Sequence, residues 1–98
     1  MNEHQTVRIG ADAQQVLDNE AYKAAMTGLK DQIVQQWRAC PVRDAEGALL
    51  LLQLVKLCDK FDAMLTGMVA NGKLTAHELN LNAERNESRT RQFFRRVA

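Results

Sequence analysis

Two long segments of the chain repeat apolar residues at intervals of three and four positions, which is the spacing of an amphipathic helix. The first segment runs from about residue 20 to residue 39, and the second runs from about 45 to 70. The apolar stripe of the first consists of Tyr22, Ala25, Met26, Leu29, Ile33, Trp37 and Cys40. The stripe of the second consists of Leu51, Leu54, Cys58, Phe61, Leu65 and Met68. Both segments are therefore predicted to be helices that bury one face.

A short connection separates the two predicted helices. Pro41 disfavours helical geometry at Cys40, and Asp44 is a suitable N-cap for the second helix. Val42 and Arg43 are the residues between them, so the second helix has to return beside the first. The sequence thus predicts an all-α fold built on a long antiparallel helical hairpin.

The second helix carries more apolar surface than one partner helix covers. Leu50, Leu57 and Met64 lie one heptad apart beside its stripe, while Val55 and Val69 lie on the other flank. The apolar arc is therefore roughly 140 to 180° wide. We expect short flanking helices or a second subunit to complete a bundle around it. The residues expected at this core or oligomer interface are Leu50, Leu54, Leu57, Phe61, Met64 and Trp37.

Glycines and polar residues divide the chain into three regions. Residues 1–11 contain few apolar side chains and include Gly10, so they are predicted to be a flexible N-terminal arm. Residues 12–72 form the helical hairpin domain, which ends at Asn71–Gly72 because glycine commonly follows the last turn of a helix. Residues 73–98 are predicted to be a polar, Arg-rich C-terminal tail whose pattern allows one short helix.

The tail combines arginine with aromatic residues. Five arginines against two glutamates give residues 84–98 a net charge of +3. Aromatic side chains can fill a pocket on a protein partner while guanidinium groups contact its rim. Arginines also neutralise phosphates or remain solvated, and these alternatives stay open. The residues expected to bind a partner are Arg89, Arg91, Phe93, Phe94, Arg95 and Arg96.

Composition and motifs restrict the function classes. The chain has 98 residues and a net charge of +1, which fits one domain. Cys40 and Cys58 lie on apolar helical faces, as reduced cytoplasmic thiols do, and no Cys or His pair has metal-ligand spacing. The apolar run Gly47–Val55, like every other uncharged run of the sequence, is too short to cross a membrane. Phosphate-loop and nucleophile-elbow motifs are absent. We therefore predict no catalytic residue, no metal ligand, no cofactor and no enzymatic activity.

Three stretches of the sequence resemble small helical proteins encoded among tailed-bacteriophage head-morphogenesis genes. They are Val16–Lys23, the string WRACPVRDAEG from Trp37 to Gly47, and FFRRV from Phe93 to Val97. The resemblance extends over residues 16–97 and implies a phage protein with a part in virion assembly. Such a protein acts in the cytoplasm of a bacterial host or in the virion. No functional residue is carried over from the resemblance.

Three functions remain as hypotheses. The first is a non-enzymatic assembly protein that forms homo-oligomers through the hairpin and presents residues 84–98 to another protein, such as a virion component. The second is a small DNA-packaging or regulatory subunit that binds nucleic acid through its arginines. The third is an inhibitor of a host enzyme or defence complex.

Overall fold

The computed structural model describes the backbone of residues 1–97 and the side chains of residues 1–86. The described chain forms three helices: α1 (Glu3–Asp18), α2 (Glu20–Ala39) and α3 (Ala45–Val97). Residues 1–97 contain no strand. The predicted all-α fold class is confirmed.

α3 is a single long helix, and the two shorter helices lie one after the other along it. A turn over residues 40–44 joins α2 to α3, and these two helices form the expected antiparallel hairpin. The side chains of Tyr22 and Asp62 meet near the start of α2, and further along α3 the backbones of Gly10 and Gly72 meet. α1 is therefore also antiparallel to α3. The molecule is a rod that measures 83 × 26 × 17 Å.

Asn19 separates α1 from α2. Its extended backbone, with φ −71° and ψ 124°, ends α1, and its N–H donates a hydrogen bond to the carbonyl oxygen of Val16. Its side-chain oxygen accepts a hydrogen bond of 3.0 Å from the backbone N–H of Tyr22 and so caps α2. One asparagine thus serves both helix ends, because its side chain replaces the backbone acceptor that the first turn of a helix lacks.

The expectation that residues 1–11 form a flexible arm is wrong, because α1 begins at Glu3. Asn2 and Gln5 form a capping box: the side chain of each residue accepts a hydrogen bond from the backbone N–H of the other, at 2.8 and 3.0 Å. Gly10 lies inside the helix and is buried. The capping box and the contact of Gly10 with α3 hold this segment in helical form.

The expected helix end at Asn71–Gly72 is also wrong, because α3 continues through both residues to Val97. No described glycine has a positive φ angle. Gly72 serves to bring α1 close to α3, which is the other use of a residue without a side chain. Residues 73–97 are therefore part of α3, and the predicted boundary between a hairpin domain and a tail does not exist as a break in the helix.

Side chains that α3 turns towards α1 and α2 repeat at alternating intervals of four and three residues. They are Leu51, Val55, Cys58, Asp62, Leu65, Val69, Gly72, Ala76 and Leu79, and each is buried or half-buried. We call this set the α3 seam. The sequence places Leu51, Cys58 and Leu65 in it correctly. Within residues 1–86, the most deeply buried hydrophobic side chains are Ala13, Ile33, Cys58 and Val69, so the core is thin.

Candidate interaction surface

A second row of apolar side chains on α3 lies beside the seam and stays largely exposed. It consists of Leu50, Leu54, Leu57, Phe61, Met64 and Met68. We call this row the α3 stripe. Its members are 37 to 62% exposed in the single chain, so no intramolecular contact covers them fully. The row extends for about 27 Å along the helix, because each residue adds about 1.5 Å.

The α3 stripe and the α3 seam are two different surfaces of one helix. Each residue turns a helix by about 100°, so the centre of the stripe lies roughly 80° from the centre of the seam. Leu54, Phe61 and Met68, which the spacing places in one stripe with Leu51, Cys58 and Leu65, belong to the exposed row. Their places in the seam are taken by Val55, Asp62 and Val69. α3 therefore has one apolar surface for its own chain and another that its chain leaves open.

The side of α2 that adjoins the α3 stripe carries small residues in the first half of the helix and Gln32 and Gln36 in the second half. The rings of Tyr22 and Phe61 approach to 6.3 Å between centroids, which fixes the side of the hairpin to which the stripe belongs. On that side, helical rotation places Ala21, Ala25 and Gly28, all exposed. A β-carbon at Gly28 would meet nothing within 4 Å. Leu29, 46% exposed, is the large apolar residue on the same side. Because the side chains in the first half of α2 on this face are small and those of the α3 stripe are large, the α3 half of the face protrudes further than the α2 half.

Trp37 does not join the other residues predicted for the oligomer interface. It lies on the opposite side of the hairpin, where helical rotation also places Lys30. There it lines an apolar groove of about 180 Å³ with Ile33, Val34, Leu51, Leu52 and Val55. Its side chain is 55% exposed, so it is not a buried anchor of the hairpin. The structure brings together five of the six predicted residues: Leu50, Leu54, Leu57, Phe61 and Met64.

A polar cluster that the sequence does not reveal crosses the interface between α2 and α3. Asp62 accepts hydrogen bonds from the Tyr22 hydroxyl at 2.6 Å and from the Lys30 ammonium at 2.9 Å. Lys30 also lies 3.2 Å from Asp59. In the sequence, Asp59 and Asp62 appear as ionised surface residues beside lysines. Only the packing of α2 against α3 shows that Asp62 occupies a seam position.

The polar cluster shifts the pKa values of its members in mutually consistent directions. The hydrogen bonds from Tyr22 and then Lys30 lower the pKa of Asp62 below its ordinary value. The hydrogen bond to Asp62 raises the pKa of Tyr22, and hydrogen bonds to Asp62 and Asp59 raise the pKa of Lys30. These are the directions expected for an ionised carboxylate that is held by a neutral hydroxyl and a cation. The cluster therefore aligns α2 along α3 and shows no group activated for acid or base chemistry.

The turn between α2 and α3 has the predicted cap. The Asp44 carboxylate accepts a hydrogen bond of 3.0 Å from the backbone N–H of Gly47, as an N-cap residue does. Burial, followed by the nearby charge of Asp44, raises the pKa of the Cys40 thiol. A nucleophilic cysteine requires a lowered pKa. The geometry at Cys40 is therefore that of a structural residue.

The residues expected to bind a partner, Arg89 to Arg96, lie outside the side chains that the structure describes. Their backbone belongs to α3. Because Gly10 lies opposite Gly72, α1 begins beside residue 79 or so, and the last part of α3 extends past it by about 25 Å. α3 thus carries the basic segment beyond the end of the helical pair.

Neither a metal site nor a membrane-spanning helix is found among the described residues. They contain no cluster of His, Cys, Asp and Glu side chains that could hold a metal ion. No helix among them has a stretch long and apolar enough to cross a membrane. Comparisons with protein-family models, with curated proteins and with solved structures give no match. The features that bear on function are therefore the exposed apolar face and the net charge of +3 on residues 84–98.

Proposed function

We propose that this protein is a non-enzymatic assembly protein that associates with itself through the α3 stripe and presents the C-terminal part of α3 to a partner protein. The observation that carries the proposal is the stripe itself, a row of large apolar side chains left open by the rest of the chain. Water contact with such a row is unfavourable, and packing against a second apolar surface removes it.

The accessible area of the chain supports self-association. A compact monomer of 11.1 kDa exposes about 5,700 Å², whereas this chain exposes 8125 Å². Its radius of gyration is 23.0 Å, against about 13 Å for a compact domain of this length. Part of the excess belongs to the end of α3 that extends past α1, and the remainder is in keeping with an apolar face that a second subunit would cover.

The size of the apolar face also fits a subunit interface. Together with Leu29, the side chains of the α3 stripe expose on the order of 600 Å², the upper end of the range for the largest apolar patch on a typical monomer. A stable interface buries about 800 Å² from each partner, and polar residues at the rim of the face supply the difference. The face is therefore large enough for a stable dimer.

The C-terminal part of α3 is proposed to act on the partner. Residues 84–98 carry a net charge of +3 from five arginines and two glutamates. Such a segment, carried past the end of α1, suits an acidic surface of another protein. The resemblance to head-morphogenesis proteins leads us to propose that this partner is a virion component and that assembly occurs in the cytoplasm of a bacterial host.

Light scattering coupled to size-exclusion chromatography tests self-association directly. We expect the full-length protein to elute with a mass that is a multiple of 11.1 kDa over a wide range of concentration. A mass that stays at the value for one chain, even in concentrated solution, contradicts the proposal. Partner binding is tested separately, by pull-down with and without residues 84–98.

A further inference from the structure

The apolar face of the hairpin has a large half and a small half. The large half is the α3 stripe, with Leu57, Phe61 and Met64 at its centre. The small half is on α2, where Ala21, Ala25 and Gly28 are exposed. Two helices pack at an axial distance of 8 to 10 Å or so when large side chains of one fit over small side chains of the other. The two halves of this face are therefore complementary in shape to each other.

The two halves also match along the rod. Tyr22 contacts both Phe61 and Asp62, so residue numbers on α2 and α3 at the same height add up to roughly 84. On this register Gly28 lies near the height of Leu57. In the same way, Ala25 lies near the height of Phe61, and Ala21 near that of Met64. The three large residues at the centre of the stripe, Leu57, Phe61 and Met64, thus have a small residue of α2 near their own height.

Resting on the proposed self-association, we infer that a second copy of this chain covers the face about a two-fold axis that runs along the rod. Rotation about this axis keeps every residue at its height and places the α3 stripe of each copy on α2 of the other. Leu57 then lies over Gly28 of the partner subunit, and Phe61 lies over Ala25 of the partner subunit. The result is a four-helix bundle in which the two α3 helices are diagonal and parallel.

A two-fold axis across the rod gives a poorer fit. It places α3 on α3, so that large side chains oppose large ones, and α2 on α2, so that small residues oppose small ones. The two hairpins would touch along one edge and leave a gap along the other, which protein interiors avoid. In the arrangement along the rod, every helix is also antiparallel to each of its neighbours, as in an up-down bundle.

The parallel arrangement has a consequence for partner binding. Both α3 helices extend past the α1 helices at the same end of the bundle. Two segments with a net charge of +3 each are then presented side by side, which doubles the positive charge at that end. A partner with repeated acidic sites would bind such a pair more tightly than a single segment, because the second contact becomes intramolecular.

Disulfide trapping between two different chains tests the arrangement. In a background with Cys40→Ser and Cys58→Ala, chains with Gly28→Cys are mixed with affinity-tagged chains carrying Leu57→Cys and then oxidised. We expect most of the mixed dimer to be cross-linked, because the two thiols lie within disulfide reach only across the interface. Chains with Leu57→Cys alone, or Phe61→Cys alone, are expected to give little cross-linked product.

The opposite pattern overturns the inference. Efficient cross-linking of Leu57→Cys or Phe61→Cys with itself, and little in the mixture, indicates the antiparallel arrangement. Energy transfer between labels on Leu81→Cys chains gives a second readout: the labels are close in the parallel dimer and about 65 Å apart in an antiparallel dimer centred on the stripe. The mass of the unlabelled background protein separates the two claims. If it is monomeric, the proposed self-association fails, whereas a dimer with the wrong cross-links refutes only the geometry.

Discussion

Gly10 of α1 and Gly72 of α3 face each other so closely that neither position has room for a side chain. A β-carbon on Gly10 would lie 2.8 Å from the α-carbon of Gly72, and one on Gly72 would lie 2.9 Å from the α-carbon of Gly10. This close approach attaches α1 to the middle of α3. It also explains why a glycine that follows an asparagine does not end α3: its small size is used for packing.

The first prediction concerns this contact. Gly10→Ala is expected to lower the free energy of unfolding by about 1–3 kcal/mol, because the helices have to move apart to admit the methyl group. Gly67→Ala is the matched control: a β-carbon added there would meet nothing within 4 Å beyond the adjoining backbone of its own helix, so alanine should stabilise the helix by roughly 0.5–1 kcal/mol. Denaturant unfolding followed by circular dichroism measures both. Equal effects of the two substitutions would contradict the proposed role of the glycine contact.

The second prediction separates a helix cap from a helix interior. Asn19→Ala is expected to cost about 1 kcal/mol, because Asn19 supplies the capping oxygen of α2. Asn71→Ala is expected to be neutral or slightly stabilising, because Asn71 is exposed within α3 and alanine is the better helix former. Thermal unfolding of the two variants provides the comparison. A marked loss of stability in Asn71→Ala would indicate that α3 breaks at this position.

The third prediction concerns pH. The pKa of Asp62 is lowered in the folded protein, so its contribution to stability is fully present above its ordinary value of 3.8 and is lost as the pH falls through the lowered pKa. The pKa of Lys30 is raised, so its contribution is present below 10.5 and is lost as the pH rises through the raised pKa. The melting temperature is therefore expected to fall in acid and in strong base.

Asp62→Asn tests which residue is responsible. This variant removes the carboxylate that both Tyr22 and Lys30 contact, so the melting temperature should fall near neutral pH and its dependence on acid should become weaker. Asp59→Asn is the control, since Asp59 is more exposed and contacts Lys30 at 3.2 Å. Its effect is expected to be smaller. If the two variants have the same pH profile, Asp62 does not hold α2 in place.

The fourth prediction separates self-association from partner binding. Deletion of residues 84–98 is expected to leave the mass ratio between oligomer and chain unchanged, because the α3 stripe ends at Met68. The melting temperature should also change little. α1 begins beside residue 79 or so, and it therefore does not contact the deleted segment. Light scattering and circular dichroism measure these two quantities. Conversion of the truncated chain to a monomer would assign self-association to the deleted residues.

A related measurement distinguishes a protein partner from nucleic acid. If the arginines of residues 84–98 bind DNA, the affinity falls steeply as salt is raised, because each neutralised phosphate releases counterions. The proposed assembly role predicts little DNA binding at physiological salt. Fluorescence anisotropy with labelled DNA, over a series of salt concentrations, provides the test. Strong, salt-dependent binding that the deletion abolishes would favour the DNA-packaging or regulatory hypothesis.

The sequence predicts the helical hairpin well because apolar spacing, Pro41 and the Asp44 cap all act locally. It does not predict the seam correctly, because Asp62 is polar and its partners Tyr22 and Lys30 are distant in the chain. Spacing alone includes Phe61 and leaves out Asp62 from the stripe, whereas in the structure Asp62 is half-buried in the seam and Phe61 is exposed beside it. Spacing finds five of the six residues of the α3 stripe as interface residues, but it does not show which neighbour covers them.

Both ends of the chain are predicted less well, for different reasons. The pair Asn2 and Gln5 has the spacing of a capping box, so the sequence contains a signal for the start of α1. The continuation of α3 past Gly72 has no such local signal. Gly72 packs against Gly10, some 60 positions away, and a long-range contact cannot be read from local spacing.

The central claim is that the α3 stripe is the surface of self-association, and a pair of charged substitutions tests it most directly. Leu57 and Leu74 are equally exposed, at 62 and 58%, but Leu57 belongs to the stripe while helical rotation places Leu74 on the far side of α3. Light scattering is expected to show that Leu57→Asp is a helical monomer and that Leu74→Asp keeps the wild-type mass. An unchanged mass for Leu57→Asp, or dissociation of both variants alike, would contradict the claim.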